Sequence, residues 1–149
     1  MLGAAGFLAI VGAVAAVVIV LADNGDSRPT RDAYLAQVEA VCRPYNDRLA
    51  KIPPPSAVGN PQAVAQSIER ALPLVVERAE RAQAIEPPSE LEDGLRHVFA
   101  LSSKAITELR AALRSARRSD VPESAVAMGR FLAVSADAQT AARAIGLSC

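Results

Sequence analysis

The 149-residue sequence has no tryptophan, three phenylalanines, two tyrosines, one histidine and two cysteines, and no surplus of charge of either sign. Each shortage narrows the function. Sixteen basic residues against sixteen acidic ones give no electrostatic footprint for nucleic acid, and none is expected as a partner. With one histidine, a Ser-His-Asp triad would have to use His97, whose helical setting offers no nucleophile turn. No Gly-x-Ser-x-Gly, His-Glu-x-x-His or Cys-x-x-Cys-His motif occurs. Asp93 lies four residues before His97, with Glu90 nearby, and Met128 is the remaining conceivable haem partner of His97. An isolated acid–histidine pair is nevertheless a commoner helix surface feature than a zinc site, which normally brings three or four ligands. We therefore expect no catalytic residues, no metal and no cofactor. A small envelope enzyme or metal carrier built on His97 and its neighbouring carboxylates is the rival reading.

What the chain does have is one long hydrophobic run. Leu2 to Ala22 carries no charged or hydrogen-bonding side chain and stops at Asp23-Asn24-Gly25-Asp26. At about 1.5 Å per residue this run would make a helix of roughly 30 Å, the thickness of a hydrocarbon core. Residues 1–22 are thus expected to be a transmembrane anchor or uncleaved signal, with 23–30 a linker and 31–149 an extracytoplasmic domain at the cell membrane. The alternative is secretion after cleavage near Ala22, since Val20-Leu21-Ala22 passes as a weak cleavage site. Charge does not orient the segment, because Arg28 and Arg31 follow it and only the amino terminus precedes it.

Cysteine usage agrees with export. Cys42 and Cys149 are an even pair, expected to form one disulfide in an oxidising compartment. In the chain-entropy model a loop of that length is restrained by about 4 to 5 kcal/mol.

Alanine, leucine, valine, glutamate and arginine dominate the remainder, which is helix-forming material. From Thr30 the chain parses into four amphipathic segments. The first, Arg31 to Ile52, aligns Leu35, Val38, Cys42, Tyr45, Leu49 and Ile52 on one stripe before Pro53-Pro54-Pro55 ends it. The second opens with Asn60 as N-cap and Pro61 in the first helical position, and aligns Val64, Ile68, Leu72, Val75, Ala79 and Ala82. The third starts at a capping box, Ser89 with Glu92, and buries Leu91, Leu95, Val98, Phe99, Ala105, Ile106, Leu109 and Leu113. The fourth starts at Asp120-Val121-Pro122-Glu123 and buries Ala125, Met128, Phe131, Leu132, Ser135, Ala138, Ala142 and Ile145, with Gly146 as its left-handed cap and Leu147 folding back. The expected fold is all-α, an antiparallel up-down-up-down four-helix bundle after the transmembrane helix.

In that topology Cys149 returns to the pole where the first helix begins, whereas Cys42 lies about 18 Å along that helix. We expect the first helix to extend beyond the bundle, leaving Thr30 to Val38 a partly exposed stalk; the alternative is a tail that folds back after Gly146. Pro44 and Pro73 fall inside helices and should kink them. We read the kinks as curvature around the core, with a ligand cavity between bent helices as the alternative. Arg110, Arg114, Arg117 and Arg118 fall within about 100° of one helix face. They fit helix-end electrostatics, and they are the candidate docking site for an acidic partner or envelope protein.

The apolar N-terminal segment, the stretch from Tyr34 to Cys42 and the ending Ala144-Ile145-Gly146-Leu147-Ser148-Cys149 resemble the small exported or membrane-anchored helical proteins of high-GC actinobacteria. The resemblance implies an envelope location and a helical architecture, and supplies no catalytic residues to carry over. The function expected is a binding or structural module of the cell envelope, not an enzyme.

Overall fold

Helix starts and stops follow local chemistry. The Ala33 N–H donates to Thr30 Oγ1 (3.4 Å), and the Gln62 and Ala63 N–H groups donate to Asn60 Oδ1 (3.1 and 3.3 Å) immediately around Pro61. The Glu123 N–H donates to Asp120 Oδ1 (3.2 Å). Side-chain acceptors thus occupy N–H groups that a helix leaves unpaired. The computed structural model describes residues 28–54 and 60–148, and all regular structure among them is helical. The elements are α1 (Arg31–Leu49), α2 (Pro61–Gln83), a 3₁₀ turn (Ser89–Leu91), α3 (Glu92–Arg117) and α4 (Val121–Ala144). The expected anchor at residues 2–22 and Cys149 lie outside the described residues. Among those described, no helix is long and apolar enough to cross a membrane.

Successive helices pack side by side, α1 on α2, α2 on α3 and α3 most closely on α4. Cross-links set an antiparallel register. Arg78 reaches Asn46 (2.6 Å), Arg117 reaches Glu69 (2.7 Å) and Arg130 reaches Glu108 (2.9 Å). The seam between α3 and α4 is lined by small residues, Ala112, Ser115 and Ala116 against Ser124 and Ala127, all buried. Small side chains let the backbones approach, and the Ser124 hydroxyl donates across the seam to the Ala112 carbonyl (3.5 Å).

Two hydrophobic clusters form. One unites Tyr34, Val38 and Cys42 of α1 with Leu91, Leu95 and Val98 of the third segment and with Ala142 and Leu147. The other unites Ala65 and Ile68 of α2 with Leu109, Ala112, Leu113 and Ala116 of α3 and with Ala127 of α4. They hold opposite ends of the bundle.

Several expectations need correction. No stalk exists: Tyr34 is 0% exposed and Val38 is 2% exposed, so the start of α1 lies in the core. The tail folds back instead. Gly146 adopts φ +87, its N–H donates to the Arg143 carbonyl (3.0 Å), and the Leu147 N–H donates to the Ala142 carbonyl (2.9 Å). This pair of bonds is a Schellman cap, and it turns Leu147 back into the core as expected from Gly146. Ser89 makes no cap; a 3₁₀ turn precedes α3, and Glu92 pairs with Arg28 rather than with the helix start. Glu123 likewise turns to Arg130 (3.1 Å). On α4 most of the expected face packs inward, with Met128, Phe131, Ser135, Ala138, Ala142 and Ile145 buried or half-buried; Ser124, Ala127 and Val134 are buried beside it, whereas Ala125 and Leu132 are exposed. Ser124 and Ala127 belong to the small-residue seam with α3.

Candidate ligand cavity

Between the two clusters the four helices border an open cavity of about 510 Å³. The cavity is not closed on all sides, and neither Pro44 nor Pro73 lines it. Pro44 and Pro73 sit inside continuous helices with exposed side chains. The space has a simpler origin. Six alanines and three serines, among them Ala71, Ala79, Ala105 and Ala138, line it from α2, α3 and α4 and do not reach across the gap. Larger apolar side chains complete the wall, including Ile68, Val75, Leu109, Met128 and Phe131.

The cavity runs along the bundle. Its walls extend from Ser67 to Ala82 on α2, from Val98 to Leu109 on α3 and from Met128 to Ala142 on α4. At 1.5 Å per residue these spans are about 16 to 22 Å. At one pole α1 and α4 meet, where Arg31 donates to the Ile145 carbonyl (3.3 Å) and Gly146 lies against Leu35. Farther along, Leu132 on the rim is 60% exposed and Gln139 is exposed, which marks the mouth on the α4 side.

One charged residue lines the cavity, Arg78. Its Nη1 donates to Asn46 Oδ1 at 2.6 Å, which holds the guanidinium at the seam between α2 and α1. Burial lowers its pKa below the ordinary arginine value, and no carboxylate among the described residues pairs with it. Arginine still carries its charge at neutral pH and offers five N–H donors. The site therefore combines an apolar trough with one incompletely paired cation. Sequence reasoning missed Arg78. Its signal was a basic residue three positions after Val75 and four before Ala82, inside the apolar stripe of α2.

The residues singled out from sequence lie elsewhere. Cys42 is 3% exposed in the core cluster that also contains Leu147, two positions before Cys149, and no described cysteine is a free thiol. Arg110, Arg114, Arg117 and Arg118 are exposed at the end of α3 opposite the Gly146 pole. They do not act as one group. Arg117 is engaged by Glu69, and Arg118 donates to Ser115 Oγ (3.3 Å), which leaves Arg110 and Arg114 without an ion pair among the described residues. His97 is exposed and does not line the cavity, whereas Met128 does. Asp93 pairs with Arg96 (2.9 Å) rather than with His97. No cluster of three His, Cys, Asp or Glu side chains suited to a metal occurs among the described residues.

On the α1–α2 surface the Tyr45 hydroxyl and Arg81 hold the Glu77 carboxyl below the usual carboxylate range, while burial and that same carboxylate raise the Tyr45 phenol. This pair links α1 to α2 beside the Arg78–Asn46 bond.

Comparison with protein families, curated proteins and solved structures finds no match for this chain.

Proposed function

We propose that this chain is a membrane-tethered, extracytoplasmic four-helix binding module that takes an apolar ligand into its interhelical cavity. The observation that carries the reading is the cavity itself. Its volume lies within the 300 to 1,000 Å³ typical of small-molecule sites, and apolar walls with a few polar groups suit such a ligand. The hydrophobic run at Leu2 to Ala22 supports attachment through residues 2–22, with the helical domain outside the cell membrane. A disulfide between Cys42 and Cys149 fits the same compartment; it is supported by the return of Leu147 to the Cys42 cluster. Arg110 and Arg114 face the opposite pole and would meet an acidic envelope partner.

The test uses the full chain in lipid nanodiscs, with protein-free nanodiscs as background. Neutral 1-hexadecanol should displace an environment-sensitive apolar dye saturably, at one site per chain. Filling the cavity with Ala79→Leu or Ser135→Leu should abolish that site while helical circular dichroism is kept. Equal displacement in folded, filled variants would overturn the reading. Protease accessibility from the extracellular side and a Cys42–Cys149 linked peptide under nonreducing digestion test the compartment separately.

A further inference from the structure

The cavity has a charge at one wall and no charge to answer it. We infer that its ligand is a single-chain anionic amphiphile, a carboxylate head on an unbranched acyl tail, with the head paired to Arg78 and the tail lying along the trough. The inference rests on the cavity-binding reading above and adds the ligand class.

Three observations converge on it. First, the wall is long: its lining residues run along the helices for about 16 to 22 Å around a cavity of about 510 Å³. The length is close to the roughly 15 Å depth of one leaflet of a bilayer, half of a hydrocarbon core of about 30 Å. Second, the guanidinium is fixed but not saturated. Asn46 takes one donor of Arg78 and is neutral, so the remaining N–H groups can meet a carboxylate in the forked geometry that Arg favours. Third, the trough contributes no acidic side chain of its own, so nothing in it repels an anionic head or competes for the cation. Ser135 and Gln139, on α4 across the cavity, add neutral donors.

A cationic amphiphile would place like charge against Arg78, and a neutral one would leave the cation unanswered. The structure therefore sets an order of affinity: hexadecanoate first, 1-hexadecanol weaker, hexadecyltrimethylammonium weakest.

The experiment measures hexadecanoate, 1-hexadecanol and hexadecyltrimethylammonium against the full chain in nanodiscs, with protein-free nanodiscs subtracted, for the wild type, Arg78→Gln and Arg78→Lys. Hexadecanoate should bind at one site per chain. Arg78→Gln should weaken it by about tenfold or more, as expected for loss of a charge-assisted bond, and leave 1-hexadecanol nearly unchanged. Arg78→Lys should recover part of the loss, because it keeps the charge and forfeits the fork. Should Arg78→Gln unfold the chain, the ratio of hexadecanoate to 1-hexadecanol affinity on wild type decides alone. Equal affinity for the two overturns the head-group assignment and leaves the apolar cavity reading standing. No saturable binding of any of the three overturns both.

Discussion

Gly94 and Gly129 allow the packing of α3 on α4 to be tested with the same substitution in two places. A Cβ built on Gly94 would sit 2.6 Å from Ile145 Cγ2, whereas one built on Gly129 meets nothing within 4 Å. In open space Gly→Ala in a helix interior gains about 0.5 to 1 kcal/mol from backbone entropy. Gly129→Ala should show that gain in full. At Gly94 the gain is at most as large, because the residue lies in the first turn of α3. Against it stands a contact about 1 Å closer than the usual 3.5 to 4.0 Å between carbons. Ile145 is β-branched and stiff about χ1, so the methyl cannot swing aside cheaply. Overpacking of this kind costs about 1 to 3 kcal/mol. Gly94→Ala should therefore be destabilising by about 0 to 3 kcal/mol, and the two variants should differ by about 1 to 3 kcal/mol. For a domain of this size that difference is about 3 to 9 °C in Tm, measured by circular dichroism on the full chain in nanodiscs. Ile145→Leu removes the offending branch, so in that background Gly94→Ala should cost at least about 1 kcal/mol less. Equal stabilisation by Gly94→Ala and Gly129→Ala would refute the close approach of the start of α3 to the end of α4.

Other outcomes follow from single residues. Ser119 holds φ 59 in the turn between α3 and α4, its N–H donating to the Ala116 carbonyl and that of Asp120 to the Ser115 carbonyl (both 3.0 Å); Ser119→Gly should raise stability by about 0.5 to 1 kcal/mol in denaturant melts. The Tyr34 hydroxyl is buried without a hydrogen-bond partner among the described residues, so Tyr34→Phe should leave stability unchanged or raise it by about 1 kcal/mol; a clear loss would reveal a partner for that oxygen. Burial raises the phenol pKa of both tyrosines, Tyr34 and Tyr45, above the ordinary value of about 10. A raised folded-state pKa means stability that is complete below about pH 10 and lost as pH climbs through the folded value. Near-ultraviolet titration, free of tryptophan background, should show both phenols ionising later in the folded chain than in denaturant.

The fold was legible wherever local chemistry decides it. Asn60-Pro61 and Gly146-Leu147 mark a helix start and a helix end through groups within a few residues of each other, and both behave as the sequence implied. The failures share a cause. Ser89 with Glu92 has the spacing of a capping box, yet Arg28, 64 residues away, takes the carboxylate. On α4 the expected face was right except at Ala125 and Leu132, and Ser124, Ala127 and Val134 were missed because alanines surround that helix and small residues fit a packed position on more than one side. The cavity was invisible for a related reason. An alanine in an apolar stripe reads as core whether or not the opposite wall reaches it, and only the assembled bundle shows that Ala71, Ala79, Ala105 and Ala138 leave a gap.

That gap has an energetic consequence that bears on its use. An enclosed, empty void of about 510 Å³ would cost on the order of 12 kcal/mol at about 24 cal/mol per Å³, comparable with the whole stability of a typical domain. The bundle avoids that cost by opening a mouth beside Leu132 and by placing its packing at the two ends, in the clusters around Leu95 and Ala112. Those ends hold the helices in register on either side of the unfilled middle. Water in the trough meets mostly hydrocarbon and finds few partners, Arg78, Ser135 and Gln139 among them. An apolar occupant that replaces it recovers burial the sequence leaves unused. At a free concentration one hundred times its Kd, such a ligand adds about 2.7 kcal/mol to stability. The small residues that weaken the middle of this bundle are therefore the same ones that open the cavity.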